Sequence, residues 1–371
     1  MISAVTQYED FINLKKDWNN LLQLSEEIDN VFLRHEWMDV WWQAFGQKNE
    51  LCVLLFHHNG QLKGIAPFML LSSTYKNIPY RRLGFIEDAN APSLNFIIQR
   101  GFEGSSIRSF LQFILGQFRS AWDVAIFNKI PKQSTAYAAL IADLSKSKSN
   151  HIIRQSQNSP YIPVNGEWET YLKSTTTKFR KQLRNKANKI HRAGDVLFEQ
   201  SQAISSAANL LEEAFKVSSK SWKHKEGTSM DSTPERRKFF TLLSKVAEDN
   251  GWLSIWLLRL NNEPIAIEYH LEYMGRTHAM RGDFDESYRK LSPGSVLEAH
   301  IVEHCFKNGL KEYDFCGLDY RYKTLWTKYY HDRNNILLYN SRLRSYTLYV
   351  LQKFFPIIRK KAMNLVSRSL Q

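Results

Sequence analysis

The run Arg281-Gly282-Asp283-Phe284-Asp285-Glu286-Ser287-Tyr288-Arg289-Lys290-Leu291-Ser292-Pro293-Gly294-Ser295-Val296-Leu297 holds the most suggestive chemistry in the chain. A strand pattern ends in a polar loop, and Ser292-Pro293-Gly294 opens a helix. The first turn of a helix leaves backbone N–H groups unpaired beside the positive end of its dipole, which suits a pyrophosphate. Arg289, Ser292, Gly294 and Ser295 are therefore candidate donor-phosphate residues. The same residues also read as an ordinary helix start, because Ser and Pro favour the first positions of any helix. A second run, Tyr313 to Trp326, follows a strand that ends at Gly317. Ligands of α/β sheets collect beyond the carboxyl ends of strands, so Asp314, Asp319, Tyr322 and Lys323 could face a cleft. A salt-bridged loop with Trp326 in the core is the competing reading. A third run, Lys178 to Arg192, has seven Lys/Arg in fifteen residues, with Phe179, Leu183, Ala187 and Ile190 on one stripe. Arg180 and Arg184 could hold a phosphorylated acceptor or RNA, or the helix is simply solvated on its basic face.

These runs need elements to present them. In the second half, helical periodicity predicts helices over 167–173, 177–193, 205–220 and 235–250. A hairpin follows, Leu253–Leu260 and Pro264–Tyr273, joined by Asn261-Asn262-Glu263. Then come a strand at 277–283, a helix over 294–308 and a strand at 312–316. The first half repeats this order. A helix over Tyr8–Leu24 precedes two strands, Leu51–Phe56 and Leu62–Leu71, around the hairpin signal Asn59-Gly60. Short strands at 82–85, 93–98 and 122–127 and a helix over 107–118 complete the first unit. The shared order reads as an internal duplication of one α/β unit. The break at Ser159-Pro160-Tyr161-Ile162-Pro163 sets the border. The expected division is 1–160, 161–340 and a basic amphipathic tail, 341–371.

Composition narrows the field. The 371 residues suit two cores, with 43% hydrophobic and 23% charged residues. The net charge is +13, and the tail from Ser341 onward contributes seven Lys/Arg and no Asp or Glu. A basic excess favours anionic partners such as coenzyme A phosphates, RNA or an anionic membrane. Leu343, Tyr346, Val350, Phe354, Ile357 and Ile358 between those charges suit either membrane contact or docking on the parent domain. The N-terminus shows no signal-peptide pattern and no stretch has membrane-spanning length, so a cytoplasmic protein is expected, peripheral at most to the inner face of a membrane. Three scattered cysteines, Cys52, Cys305 and Cys316, speak against a disulfide framework and a zinc motif. No metal site is expected from the His and Cys spacing. P-loop, nucleophile-elbow and zincin motifs are absent.

Several short motifs recur in an order that resembles a known family. They are Trp37…Trp41, Gly64-Ile65-Ala66-Pro67, Leu83-Gly84-Phe85 and Trp122-Asp123-Val124 in the first half. In the second they are Phe179-Arg180…Leu183-Arg184, Ser221-Trp222-Lys223, Tyr288…Pro293-Gly294, Asp314-Phe315…Gly317 and Tyr322-Lys323…Trp326. The set resembles the GNAT-like acetyltransferases associated with cellulose biosynthesis (CelD/BcsL type), relatives in fold of the Fem transferases of peptidoglycan bridges. The resemblance implies an α/β chain of two tandem GNAT-like (acyl-CoA N-acyltransferase) domains with mixed, mostly antiparallel sheets flanked by helices. It implies acyl transfer from acyl-CoA, a co-substrate and not a bound cofactor, to an amine of an envelope saccharide, lipid or peptide. A Fem-like use of aminoacyl-tRNA is the alternative, and a non-catalytic saccharide- or lipid-binding member a third. One departure matters: Pro293 has no N–H to offer a phosphate. Transfer from a thioester needs a deprotonated amine, a held oxyanion and a tolerated thiolate. Asp283, Glu268 and His270 are the candidate bases, Tyr322 or Tyr288 the candidate acid, and the backbone near Gly282–Asp283 the candidate oxyanion donor. Asp314, Asp319, Lys323, Trp222, Arg180 and Arg184 are the candidate substrate contacts.

Overall fold

The structure is a computed structural model that describes residues 1–86, 91–156, 158–201, 207–317 and 320–354. Its strands, in chain order, begin with β1 (Ile2–Val5), β2 (Glu50–His58), β3 (Gln61–Tyr75), β4 (Ile78–Phe85), β5 (Ile97–Ile98), β6 (Val124–Pro131) and β7 (His151–Gln155). They continue with β8 (Ser159–Pro163), β9 (Val196–Gln200), β10 (Leu253–Leu260), β11 (Glu263–Tyr273), β12 (Arg276–Phe284), β13 (Glu312–Asp314), β14 (Tyr329–His331) and β15 (Arg333–Tyr339). Two compact units result: residues 1–39, 46–156 and 332–371, and residues 40–45 and 157–331.

Each unit is built on one mixed, mostly antiparallel sheet flanked by helices. The first sheet runs β1-β2-β3-β4-β6-β15-β7, with β5 beside β3; the second runs β14-β8-β13-β12-β11-β10-β9. Both contain the same core motif. An antiparallel meander (β2-β3-β4, or β10-β11-β12) leads through a helix to a parallel neighbour, β6 or β13. The connecting helices are Glu103–Leu115 and Pro293–Lys307. The meander turns follow from their residues. Asn59-Gly60 and Asn261-Asn262 all take positive φ, between 50° and 76°, as a tight two-residue hairpin turn requires.

The ends of the sheets depart from a simple division at residue 160. The border segment Ser159–Pro163 is itself a strand, inserted between β13 and β14 of the second sheet. Conversely β15, which lies within the expected second domain, pairs with β6 and β7 of the first. Two prolines at 160 and 163 hid β8, because proline gives no ladder N–H and argues against an interior strand. The chain accommodates them by accepting instead: Pro160 O receives Phe315 N–H at 3.1 Å.

In the second unit the two faces of the sheet take different helices. On β11, Tyr269 points to the helix Pro234–Asp249, against Phe240 and Ser244. Side chains alternate along a strand, so Glu268 and His270 point the opposite way, toward the helix Pro293–Lys307. That helix buries Val296, Leu297, Ile301, Val302 and Cys305 on the sheet. Burying each large aliphatic side chain contributes roughly 1.5–3 kcal/mol.

Candidate active site

The chemistry gathers where β12 outruns its parallel neighbour. β13 pairs with β12 only at Arg276, Thr277 and His278, yet β12 continues to Phe284. Beyond His278 the two strands part, and a cavity of about 350 Å³ opens between them. It is lined on one side by Ala279, Met280, Arg281 and Gly282, and on the other by Tyr313, Phe315, Cys316, Tyr320, Tyr322 and Lys323. Glu268, Glu298, Trp222 and Lys223 complete the wall.

A β-bulge shapes this opening. Tyr269 pairs with Arg281 and His270 with Ala279, so Met280 stands outside the β11–β12 ladder. Bulges re-aim the backbone and leave the extra residue unpaired. The backbone left outside the ladder thus lies at Met280, two residues before the Gly282 of the sequence expectation. Gly282 sits opposite Glu268 in the register. A Cβ there would stand 3.5 Å from Glu268 Cγ, so the missing side chain keeps the carboxylate open to the cavity.

Two carboxylates occupy the inner end. Glu268 Oε2 accepts from Tyr313 O–H at 3.2 Å and lies 2.7 Å from His270 Nε2. His270 is fully buried behind it, so it orients Glu268 and does not meet the cavity. Glu298, on the helix Pro293–Lys307, accepts from Trp326 Nε1–H at 2.9 Å. Burial, and then the Glu268 charge, push the Glu298 carboxyl up to about 8. A like pair in low dielectric cannot both ionise at neutral pH. The sequence reading missed Glu298. Its signal was present: Gly294, Glu298, Ile301 and Cys305 share one helical stripe, and a charge on a buried stripe needs a reason.

The remaining candidates divide into those at the cavity and those tied elsewhere. Trp222, 41% exposed, lines the wall. Tyr322 stacks near Tyr320, with ring centroids 6.3 Å apart; burial of its hydroxyl and the Glu298 and Glu268 charges raise its pKa. Lys323 is buried, donates to Phe315 O at 3.0 Å, and is pushed down by desolvation. Lys223 is likewise pushed down by desolvation, against the opposing pull of Asp283.

Asp283, by contrast, does not line the cavity. Ser218 Oγ–H (2.5 Å), Arg281 Nε–H (2.8 Å) and Lys223 Nζ (2.8 Å) surround its carboxylate. Asp283 is thus held in place by three donors. Asp314 points to the other face of β13, bound by Ser159 Oγ–H at 2.8 Å and Cys316 N–H at 2.9 Å. Arg180 caps a neighbouring helix, donating to the carbonyls of Leu172, Lys173 and Thr175. Arg184 is exposed on the basic helix Thr177–His191. Asp319 lies outside the described residues.

The loop before the helix Pro293–Lys307 forms a tight 3-10 segment, Glu286–Leu291, ending with Ser292 in the left-handed region. Lys186 donates to Ser295 Oγ at 2.9 Å and Lys189 to Lys290 O at 2.8 Å. Two ammonium groups thus stand at this helix start. Arg289 is largely exposed, 3.8 Å from Glu286. A Cβ built on Gly294 would meet Phe284 at 3.4 Å, an ordinary contact.

Comparison with known proteins agrees with this architecture. Residues 177–324 match the acetyltransferase (GNAT) domain. No curated protein sequence matches the chain. Among solved structures, FemX superposes with a TM-score of 0.59 at 11% identity, over 94% of this chain and 99% of its own. The C-terminal domain of a putative lysylphosphatidylglycerol synthetase from Agrobacterium fabrum gives 0.54 at 12% identity, over 92% and 95%. A tandem GNAT protein from the clavulanic acid biosynthesis pathway gives 0.50 at 10% identity, over 91% and 98%. At these identities the likeness is one of fold, and the fold is that of tandem GNAT proteins.

Proposed function

From a chain whose residues 177–324 carry a GNAT acetyltransferase domain, we propose an N-acyltransferase that moves an acyl group from acyl-CoA to an amine. The observation that supports it most is the parting of β12 from β13 over a cavity floored by Glu268 and Glu298. In this reading the donor's phosphates rest at the start of the helix Pro293–Lys307, beside Lys186 and Lys189. The thioester enters between the strands, with its carbonyl oxygen toward the bulged backbone at Met280.

The acceptor amine meets the carboxylate pair. A base is most effective when its pKa lies near the working pH, which burial and the like charge have arranged for Glu298. The pair takes the proton as the nitrogen attacks the acyl carbon; the C–S bond breaks, and the thiolate leaves. Tyr322, which keeps its proton at neutral pH, stands at the cavity mouth to donate to it. Trp222, Tyr320 and Tyr322 offer flat apolar faces to the acceptor, which suits an amine-bearing saccharide, lipid or peptide.

Calorimetric titration with acetyl-CoA, a longer acyl-CoA and free CoA tests this. Micromolar binding that Gly294→Asp abolishes supports the reading; no binding of any CoA species overturns it. A second reading, aminoacyl transfer from tRNA, is favoured by the exposed basic residues of the helix Thr177–His191. Salt-sensitive binding of a charged tRNA, without CoA binding, would select it. The tail segment 343–354 is helical and leaves Leu343, Tyr346 and Phe354 exposed; among the described residues no helix is long and apolar enough to cross a membrane.

A further inference from the structure

The face of the second sheet turned away from Glu268 carries a separate cluster. Thr277 reaches Cys305 of the helix Pro293–Lys307, and Tyr313 reaches Glu268. By strand alternation His278, Glu312 and Asp314 point to the opposite face. There the ligand atoms of His278, Asp314 and Cys316 lie within 4.8 Å of one another. Asp314 uses Oδ1 to bind Ser159 and Cys316 N–H, and turns Oδ2 toward two imidazoles. His278 Nδ1 is 3.9 Å from it and His331 Nε2 is 4.0 Å.

His331 Nε2 is held by Glu312 Oε1 at 2.9 Å, whereas the His278–Asp314 separation is close to that of two ligands on a shared ion. Two metal–ligand bonds of ~2.0 Å at the tetrahedral angle hold their outer atoms ~3.3 Å apart. Inward movement on the order of half an ångström per ligand closes the gap. Asp314 and Glu312 place two carboxylates side by side in this buried region. The mixed sulfur, nitrogen and oxygen set suits zinc and its neighbours, whereas magnesium and calcium want oxygen alone.

We propose that His278, Asp314 and Cys316 bind a transition-metal ion of the zinc class. The ligands come from β12, β13 and the turn after β13. Their wide separation in sequence gives no zinc spacing, which is why the cysteine pattern spoke against such a site. The ion would fasten the strand ends behind the cavity, where Cys316 also forms part of the wall.

The test uses the full chain, untagged and stripped with chelator. Cobalt titration should produce tetrahedral visible bands and a thiolate-to-cobalt charge-transfer band, and Cys316→Ser should remove the latter. His278→Asn should weaken zinc affinity by about tenfold or more. A second measurement needs no variant. Cys52 and Cys305 are buried at 1% exposure each, so Cys316 is the accessible thiol. Zinc, but not magnesium, should slow its alkylation in the unaltered chain. A charge-transfer band that survives Cys316→Ser, or alkylation indifferent to zinc, overturns the site.

Discussion

Replacing Glu298 with Gln removes one charge from the buried carboxylate pair and keeps the shape. The Gln side-chain oxygen can still accept Trp326 Nε1–H, the bond Glu298 makes at 2.9 Å. The Glu298 carboxyl stands at about 8 in the folded chain against an ordinary 4.5. Eight less 4.5 is a gap of about 3.5 pH units, and each unit corresponds to ~1.4 kcal/mol. Full ionisation therefore costs the folded state on the order of 5 kcal/mol. The sign follows from proton binding. Below pH 4.5 both states hold the proton and nothing is lost. From there to about 8 the unfolded chain ionises while the folded one does not, so stability falls as pH rises. Above about 8 the loss is complete. Glu298→Gln should thus match the unaltered chain near pH 4 and exceed it increasingly up to pH 9. Urea unfolding at pH 5, 7 and 9, read from a probe in the second unit, measures the difference. A difference between variant and parent that stays constant with pH would refute the reasoning, whatever its size.

Other expectations follow from the same site. Glu268→Gln should lower kcat by roughly 10²- to 10⁴-fold with a smaller change in KM, as loss of a proton acceptor does; a change confined to KM would make Glu268 a binding group. Gly294→Asp should weaken acyl-CoA binding at least about tenfold without loss of thermal stability. A Cβ there makes only ordinary contact with Phe284, and an acidic residue in the first turn suits the helix dipole. Unchanged CoA affinity in a folded variant would remove the phosphate role of this helix start. Arg180→Ala should cost ~1–3 kcal/mol of stability, because three carbonyls at the end of the helix Trp168–Ser174 lose their donor. Its CoA affinity should not change, and a stability equal to the parent's would refute this capping role.

What could be read in the sequence was local. The hairpin at Asn261-Asn262, the strand Leu253–Leu260 and the helix opening at Pro293 each carry their own turn chemistry or periodicity, and the structure has them. The cavity residues Glu268, Tyr322, Lys323 and Trp222 were also reachable, because they flank those elements. What failed was non-local. Asp283 looked like a base until Lys223 and Arg281 closed around it. Arg180 looked like a ligand contact until it turned back on the preceding helix. Glu298 was not singled out at all, and only the packing of its helix near Glu268 and Trp326 gives it meaning. The strand Ser159–Pro163 was masked by its prolines, and its partners lie about 150 residues away.

The position of β15 bears on how the chain is made. It lies between β6 and β7, yet about 180 residues of polypeptide separate β7 from it. A ribosome that has just finished the first unit's other strands has released a sheet with a vacancy inside it. The backbone edges of β6 and β7 stay open until residue 339 emerges, through the whole synthesis of the second unit. Open strand edges invite pairing with other chains. At ~5–20 residues per second that exposure lasts on the order of ten seconds or more. A fragment ending near residue 160 would carry the same vacancy permanently. The first half should therefore aggregate when expressed alone and become soluble when the β15 segment is supplied as a separate peptide.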